Sequence, residues 1–307
     1  MGATQAPLLP IMSLILENPA LRVSVLDPVA DVERLGTRYC AAGYIFQVRD
    51  VTLDKDLLAI PDQLERDEAA THGRVWDDGF NVSDGQGIPD SFRGHGMAQT
   101  SDGLVLGVGL CTGKTVNEWA SWEVTRPTPQ SLLFTTTQSG PYGHLSDASV
   151  RIERELQLHN RTLISRTRLQ SLSGTISIQW YPHPFFPQPV GDELFKLSTA
   201  ISLPEAGSDG YELGPSGWLA RKNWPWVDKE NYYQALNHDH AAPLVALHRH
   251  PLVGMISARS SYIPALLPVW GNPRTISVEP HLDRTVAQGQ STEWTMEYEF
   301  GMCPAAI

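Results

Sequence analysis

The stretch Thr175–Phe186, with the sequence TISIQWYPHPFF, joins an alternating strand to a rigid segment that contains a histidine. Its first half alternates apolar and polar side chains, a period typical of a β-strand with one buried face. Pro182 and Pro184 then flank His183, and each proline fixes its own φ and pushes the preceding residue into extended geometry. We therefore expect a strand that leads into a short non-helical segment, with His183 beside aromatic rings that form one wall of a pocket. The alternative is a plain proline-rich turn whose imidazole bonds a backbone carbonyl.

Similar short strand signals recur along most of the chain. The other predicted strands, separated by turn residues, are Leu21–Leu26, Leu104–Leu110, Glu118–Thr125, Ser131–Gln138, Val150–His159, Thr162–Gln170, Phe195–Leu203, Leu244–His248, Leu252–Arg259, Thr275–Val278 and Trp294–Phe300. Many short strands with turn signals between them indicate an all-β sandwich or barrel. No change in composition marks a linker, so we expect residues 1–307 to form a single domain, a large antiparallel β-sandwich.

Other stretches are less regular. Arg38–Val48 predicts a strand that is broken at Gly43 by a bulge or bend. Leu57–Ala70 predicts a short helix, which Pro61 weakens. Residues 74–93 predict a long loop, and long ordered loops are often functional. Residues 204–243 are rich in Gly, Pro, Trp and Asn and predict irregular structure.

The formal net charge of −11 argues against two classes of partner. Nucleic acids and anionic membranes favour a basic surface, and no stripe rich in Lys or Arg is present. The three cysteines lie far apart and form no CxxC motif, which favours a reducing compartment. The apolar run Pro7–Leu16 lacks a positive n-region and is too short to span a bilayer, so we expect a cytoplasmic protein.

Two further segments carry candidate functional side chains. Glycines flank His95 in the sequence RGHGMA, so a ligand can closely approach the backbone and the imidazole. Glu279 follows the alternating strand Thr275–Val278, and Pro280 ends hydrogen-bonded pairing there. A carboxylate at the end of a strand is well placed to face a cleft. The alternatives are a glycine turn with an exposed histidine, and an ordinary surface glutamate.

A group of histidines offers a different possibility. His248 and His250 are two residues apart, so on a strand both imidazoles lie on the same face, and His238 and His240 come shortly before them. Such a group suits a metal ion. Residues 251–270 contain no Glu or Asp that could complete a cupin-like set of ligands. We therefore expect these histidines to lie on a solvated edge and expect no metal site.

Together these segments resemble the galactose mutarotase-like superfamily, which includes aldose 1-epimerases and hexose-6-phosphate epimerases. The likeness rests on Arg38–Ile45 as the early strand, Gly94–Ala98 as the first-histidine motif, His183–Phe186 as the His-Pro-Tyr-Phe motif, and Ser277–Pro280 with Trp294–Phe300 as the terminal glutamate segment and closing strand. Phe stands at the Tyr position of the second motif. The resemblance implies a large antiparallel β-sandwich with a concave sheet that holds a sugar, and isomerase activity that needs no cofactor.

The resemblance also implies roles for individual residues. His183 would be the general acid, Glu279 the general base and His95 a sugar-binding residue. The family's substrate-binding arginine corresponds to Arg74 or Arg93, and its aspartate to Asp228 or Asp239. Candidates to stack on the apolar face of the sugar are Trp180, Tyr181, Phe185 and Trp270, each with a place in the core as the alternative.

The implied chemistry is reasonable from first principles. Opening a pyranose ring requires one proton delivered to the ring oxygen and one removed from the anomeric hydroxyl, which a histidine and a glutamate can do at neutral pH. We therefore expect an enzyme that interconverts the anomers of an aldohexose or a hexose phosphate, as a monomer or a homodimer. Two alternatives stay open: a carbohydrate-binding β-sandwich without turnover, and a metal-dependent enzyme built on the histidine group.

Overall fold

The structure is a computed structural model, and it describes residues 13–32, 35–59, 87–92, 102–113, 115–226 and 231–301. These ranges consist of β-strands and their connections, without an α-helix. In the described ranges we find no helix with the length and apolar character needed to cross a membrane.

The strands of the described residues carry labels in chain order. They are β1 (Leu14–Glu17), β2 (Leu21–Val25), β3 (Ile45–Asp50), β4 (Lys55–Asp56), β5 (Asp90–Ser91), β6 (Gly103–Val105), β7 (Gly109–Thr112), β8 (Thr115–Trp119), β9 (Glu123–Thr128), β10 (Ser131–Tyr142), β11 (Leu145–His159), β12 (Thr162–Ser173), β13 (Ile176–Pro182), β14 (Phe186–Pro187), β15 (Glu193–Leu197), β16 (Ile201–Ser202), β17 (Tyr211–Leu213), β18 (Trp218–Arg221), β19 (Tyr232–His238), β20 (Val245–His250), β21 (Gly254–Ser260), β22 (Leu267–Gly271), β23 (Thr275–Val278), β24 (Leu282–Val286) and β25 (Ser291–Phe300).

Ten of these strands form the largest sheet, in the order β17-β18-β15-β20-β21-β25-β12-β11-β10-β9. A second sheet has five strands in the order β14-β23-β22-β19-β16, and three smaller sheets are β1-β2-β3-β4, β24-β13-β5 and β6-β7-β8. Neighbouring strands in the two largest sheets run antiparallel. The prediction of an all-β, antiparallel sandwich is confirmed.

The centre of the ten-stranded sheet shows why these residues form strands. A two-residue turn joins β11 to β12, and Asn160 in that turn has a φ of 51°, a left-handed conformation that tight hairpin turns need and asparagine tolerates. Along β11 the alternate side chains of Ile152, Leu156 and Leu158 are buried, while their neighbours are more exposed. This period of two gives the sheet an apolar face that packs into the core.

One charged side chain, that of Arg154, lies on this apolar face. It is 1% exposed, and its two terminal nitrogens contact both carboxylate oxygens of Asp90, with Nη1 to Oδ1 at 2.6 Å. The indole nitrogen of Trp180 donates to the same carboxylate at 3.0 Å. Burial raises the pKa of Asp90, and the positive charge of Arg154 opposes that shift. Because Asp90 belongs to β5, which pairs with the end of β13, this ion pair connects the largest sheet to the strand that precedes His183.

Several predictions of local structure are wrong. The strand predicted for Arg38–Val48 begins only at Ile45, because the residues before it form turns, although the predicted break at Gly43, which has a φ of 71°, is confirmed. The stretch 204–243, predicted to be irregular, contains β17, β18 and β19. Strands β22 and β24 had no clear signal. The helix predicted for Leu57–Ala70 and the loop predicted for residues 74–93 lie mostly outside the described residues.

We expect Arg154→Met to lower the free energy of unfolding by about 3–5 kcal/mol, because it leaves the carboxylate of Asp90 buried without its countercharge. Urea denaturation followed by circular dichroism measures the loss. The matched control is Arg151→Met on the same strand. Arg151 is half exposed and pairs with Glu153 at 2.9 Å, so its loss changes the free energy of unfolding by at most about 1 kcal/mol. Equal effects of the two substitutions would contradict the assignment of the buried pair.

Candidate active site

The backbone on both sides of His183 is held by hydrogen bonds. The N–H of His183 donates to the carbonyl of Pro89 at 2.8 Å, and the N–H of Phe185 donates to the carbonyl of Gly87 at 2.9 Å. Gly87 has a φ of 81°, and a Cβ there would stand 2.3 Å from the carbonyl oxygen of Ile45, so the position requires glycine. The Pro-His-Pro segment is thus fixed in an extended form against this neighbouring segment.

Glu279 reaches the same place from the five-stranded sheet. It follows β23, and its N–H donates to the carbonyl of Pro268 in β22 at 2.9 Å. Its Oε1 lies 3.1 Å from Nε2 of His183, and the two side chains are 1% and 3% exposed. The structure therefore brings together two predicted residues that are far apart in the sequence.

Aromatic rings surround the imidazole of His183. Phe185 stacks on it with ring centroids 4.2 Å apart, and Trp270 and Tyr39 meet it edge-on at 5.3 Å and 6.3 Å. Phe185 and Trp270 also meet each other edge to face at 5.8 Å. These rings create a low-dielectric wall, in which the interaction between an imidazole and a carboxylate is stronger than in water.

Arg38 and Tyr181 place further polar groups near the pair. The guanidinium of Arg38 hydrogen-bonds the hydroxyl of Tyr181, whose ring stacks on His281 at 4.4 Å. Burial raises the pKa of Tyr181, the positive charge of Arg38 opposes that shift, and the negative charge of Glu279 adds to it. The net shift is upward, so the hydroxyl is protonated at neutral pH and can donate a hydrogen bond.

A small cavity lies behind the pair. It is lined by the prolines that follow the two residues, Pro184 and Pro280, together with His248 and Tyr298. His248 is 1% exposed, and neither of its ring nitrogens meets a hydrogen-bond partner within the described part of the chain. Burial lowers the pKa of His248 to about 3, and the nearby His250 adds to the shift, so this imidazole is neutral at physiological pH.

The other predicted site residues are placed differently. Those that lie outside the described residues are His95, Arg74, Arg93 and Asp228. Trp270 contacts His183, as described above. Asp239 is exposed and follows the end of β19. On that strand Ala235 pairs with Pro268, whose carbonyl accepts the hydrogen bond from the N–H of Glu279. Asp239 is four residues beyond Ala235, which corresponds to about 13 Å along the strand. The structure does not bring Asp239 to the pair.

The histidine group is divided between two environments. His238 and His240 each contact the carbonyl of Pro264, at 3.0 Å and 3.1 Å. His248 and His250 do share one face of β20, but that face is buried, so the expectation of a solvated edge is wrong for them. In the ranges that the structure describes, no group of His, Cys, Asp and Glu side chains is arranged to hold a metal ion.

Sequence reasoning missed several side chains close to the pair. Arg38 and Tyr39 lie in a segment predicted to be a strand, and Tyr233 lies in the stretch predicted to be irregular. The sequence feature that could have identified the first two is the adjacent pair of a charged and an aromatic residue, Arg38 and Tyr39, before Gly43. This combination is more typical of a turn that faces a ligand than of a buried strand. For Tyr233 the feature is the sequence YYQALNH, whose tyrosines favour a β-strand over irregular structure.

Comparison with known proteins supports this fold. No family model and no curated protein sequence matches the chain. The Slr1438 protein from Synechocystis sp. PCC 6803 is 14% identical with a TM-score of 0.57, and the match covers 98% of this chain and 100% of that one. A galactose mutarotase related enzyme from Lactobacillus acidophilus is 14% identical with a TM-score of 0.51, and the match covers 95% of this chain and 98% of that one. A galactose mutarotase-like protein from Lactobacillus casei ATCC 334 is 12% identical with a TM-score of 0.52, and the match covers 94% of this chain and 99% of that one.

The fold and the site together define a class: a β-sandwich protein with a buried histidine–glutamate pair in an aromatic pocket. At identities of 12–14% the matches show the fold alone. In particular, the chain has the galactose mutarotase-like fold over nearly its whole length, in agreement with the resemblance in its motifs.

Because His248 is neutral in the folded protein, we expect a loss of stability in mild acid. The unfolded chain gains a proton below a pH of about 6.5, whereas folded His248 resists protonation until about pH 3. His248 therefore does not lower the free energy of unfolding above pH 6.5. This free energy falls by up to about 1.4 kcal/mol per pH unit below that, and His250, whose pKa is also lowered by burial, adds to the slope.

Urea titrations between pH 7 and pH 5 measure this slope. His248→Leu should reduce it by up to about 1.4 kcal/mol per pH unit, whatever the variant's absolute stability. The control is His144→Leu in the exposed turn between β10 and β11, which should leave the slope unchanged. A slope that is the same in wild type and His248→Leu would show that His248 is protonated in the folded state.

Proposed function

We propose that this protein is an aldose 1-epimerase-like isomerase that interconverts the α and β anomers of an aldohexose or a hexose phosphate. The observation that carries the proposal is the separation of 3.1 Å between Nε2 of His183 and Oε1 of Glu279 inside an aromatic pocket. The two residues follow strands of different sheets, β13 and β23, and the fold resembles that of galactose mutarotase-like proteins. A small-molecule sugar is the proposed substrate class. The cytoplasm is the proposed compartment, because the spacing of the protein's cysteines favours a reducing environment.

The chemistry requires an acid and a base very close together. In a pyranose the ring oxygen and the anomeric hydroxyl are bonded to the same carbon, so the groups that serve them must lie within a few ångströms of each other. The contact between His183 and Glu279 meets this requirement. Each residue type can transfer protons at neutral pH when it is positioned in this way.

The reaction then proceeds by proton transfers alone. The imidazolium of His183 donates its proton to the ring oxygen while the carboxylate of Glu279 accepts the proton of the anomeric hydroxyl. The bond between the anomeric carbon and the ring oxygen breaks, and an open-chain aldehyde forms. Rotation about the C1–C2 bond presents the other face of the aldehyde. The neutral imidazole and the protonated carboxyl then reverse both transfers and close the ring as the opposite anomer.

The remaining side chains of the pocket support binding. Phe185 and Trp270 offer apolar ring surface for the C–H face of a sugar, and they limit the access of water to the pair. The hydroxyl of Tyr181, which is protonated and hydrogen-bonded to Arg38, can donate to a sugar oxygen. His95, with Arg74 or Arg93, completes the proposed sugar-binding set.

We expect His183→Gln and Glu279→Gln each to lower kcat/KM for mutarotation by about 10²- to 10⁴-fold, because each removes one of the two proton-transfer groups. Polarimetry on freshly dissolved α-anomers of common hexoses and their 6-phosphates measures the rate. Matched controls of the same chemical change are His240→Gln and Glu293→Gln, which alter exposed residues away from the pocket and should leave kcat/KM unchanged.

The same experiment tests the competing reading, a carbohydrate-binding protein without turnover. That reading predicts that calorimetry detects sugar binding to the wild type while polarimetry shows only the spontaneous rate. If no common hexose or 6-phosphate is accelerated, the epimerase proposal is wrong.

A further inference from the structure

We propose that Tyr262 is a positioning residue, which sets the distance between His183 and Glu279 because it holds the segments of both residues at once. This proposal rests on the proposed function and deepens it, since it names a side chain that acts through the pair and not on the substrate. The observation that carries it is a buried hydrogen bond of 2.7 Å from the hydroxyl of Tyr262 to the carbonyl of Pro280, the residue after Glu279.

Tyr262 belongs to a turn that leaves the largest sheet. It follows the end of β21 by two residues, and it is 4% exposed. Its backbone carbonyl accepts a hydrogen bond from the hydroxyl of Ser260 at 2.6 Å, and the same hydroxyl accepts one from the N–H of Leu244 at 3.0 Å. The ring of Tyr262 therefore extends from a backbone that is itself fixed.

The ring of Tyr262 packs against the strand that leads to His183. It meets the indole of Trp180, in β13, edge to face, with ring centroids 6.2 Å apart and planes at 80°. An edge-to-face pair is favourable beyond the apolar area that it buries. Trp180 also donates to the carboxylate of Asp90, so the indole has a defined place. One part of Tyr262 is thus tied to the histidine segment.

The hydroxyl of Tyr262 holds the glutamate segment. The N–H groups of Glu279 and His281 both donate, at 2.9 Å, to carbonyls of the segment Leu266–Pro268, and Pro280 between them has no N–H. The carbonyl of Pro280 and the N–H of His281 belong to one trans peptide, so they point in opposite directions. That peptide is therefore held from both sides, by the segment Leu266–Pro268 on one and by Tyr262 on the other.

This bonding leaves the backbone at Glu279 little freedom. The ring of Pro280 fixes its own φ and restricts Glu279 to extended geometry, so ψ is the soft dihedral that remains at Pro280. The bond from Tyr262 holds the peptide whose rotation would change this ψ. Without the bond the buried carbonyl of Pro280 lacks a donor, and we expect the peptide to turn. Such a turn moves Glu279 relative to His183 and lengthens their 3.1 Å contact.

The hydroxyl of Tyr262 remains a donor near neutral pH. Burial raises its pKa well above the usual value, Tyr298 and the negative charge of Asp90 add to the shift, and Arg284 opposes it. The bond to the carbonyl of Pro280 therefore does not depend on pH in this range. The role of Tyr262 is to fix a position and not to transfer a proton.

The test removes the hydroxyl and keeps the ring. We expect Tyr262→Phe to lower kcat for mutarotation about 10- to 100-fold, because a displaced acid–base pair transfers protons poorly. KM should stay unchanged, because the aromatic wall is intact. Polarimetry measures both constants, with the rate expressed per folded molecule by circular dichroism. The matched control is Tyr142→Phe, which removes a hydroxyl that donates to the carbonyl of Ser177 at 2.7 Å and should change neither constant.

Nuclear magnetic resonance of isotope-labelled histidine makes the outcome independent of turnover. We expect the Nε2 signal of His183, assigned by its absence in His183→Gln, to shift in Tyr262→Phe in the same direction as in Glu279→Gln. It should stay in place in Tyr142→Phe. If no sugar is accelerated, the proposed function fails, but this shift still supports the positioning role. An unshifted signal in Tyr262→Phe overturns the proposal, whatever the rate does.

A second variant keeps the tyrosine and releases its backbone. Ser260→Ala removes the hydroxyl that holds the carbonyl of Tyr262, so it should shift the His183 signal in the same direction and lower kcat by a smaller factor. This variant decides the question if Tyr262→Phe does not fold. In an active enzyme, a shifted signal with unchanged kcat, or a rise in KM as large as the fall in kcat, would contradict the proposal.

Discussion

The buried ion pair between Arg154 and Asp90 is the interaction on which the position of the candidate site depends. Each ion loses its hydration on folding, and the cost is offset by two short contacts between them and by the hydrogen bond from Trp180. The pair also fixes register. Asp90 opposes Pro182 in the ladder between β5 and β13, and a slip of one residue would turn its carboxylate to the other face, away from Arg154. The position of His183, one residue after Pro182, is therefore fixed through the contact of Asp90 with Arg154, a charged residue of the largest sheet.

The histidine and the glutamate are positioned by backbone rather than by long side chains. Prolines stand on both sides of His183 and directly after Glu279, and the backbone N–H of each residue is bonded to a neighbouring segment. Proline limits the conformations of these segments before any ligand arrives. Under the proposed function, a pair that is rigid in this way loses little entropy when a sugar binds, which is a main source of rate enhancement in enzymes.

Motifs and periodicity in the sequence were enough to predict the fold class, most long strands, and His183 and Glu279 as candidates. They could not predict Arg154. The alternation of β11 looks irregular at that point because a charged residue occupies the apolar face, and only its partner on a distant segment explains it. For His248 and His250 the shared face was predicted and its burial was not, since burial depends on which sheet covers that face. In β19 Tyr232 and Leu236 lie in the core, whereas Tyr233, an aromatic residue on the opposite face, is exposed, so the sequence does not alternate simply between apolar and polar residues.

The same strands thus carry core residues and candidate-site residues at alternate positions. In β23 Ile276 and Val278 lie in the core, whereas Ser277 lies on the face that continues to Glu279. Because the period of a strand is two, a substitution on one face leaves the packing of the other largely intact. A sheet of this kind can keep its core face while the residues on the opposite face change. That freedom offers a physical reason why chains only 12–14% identical retain one fold.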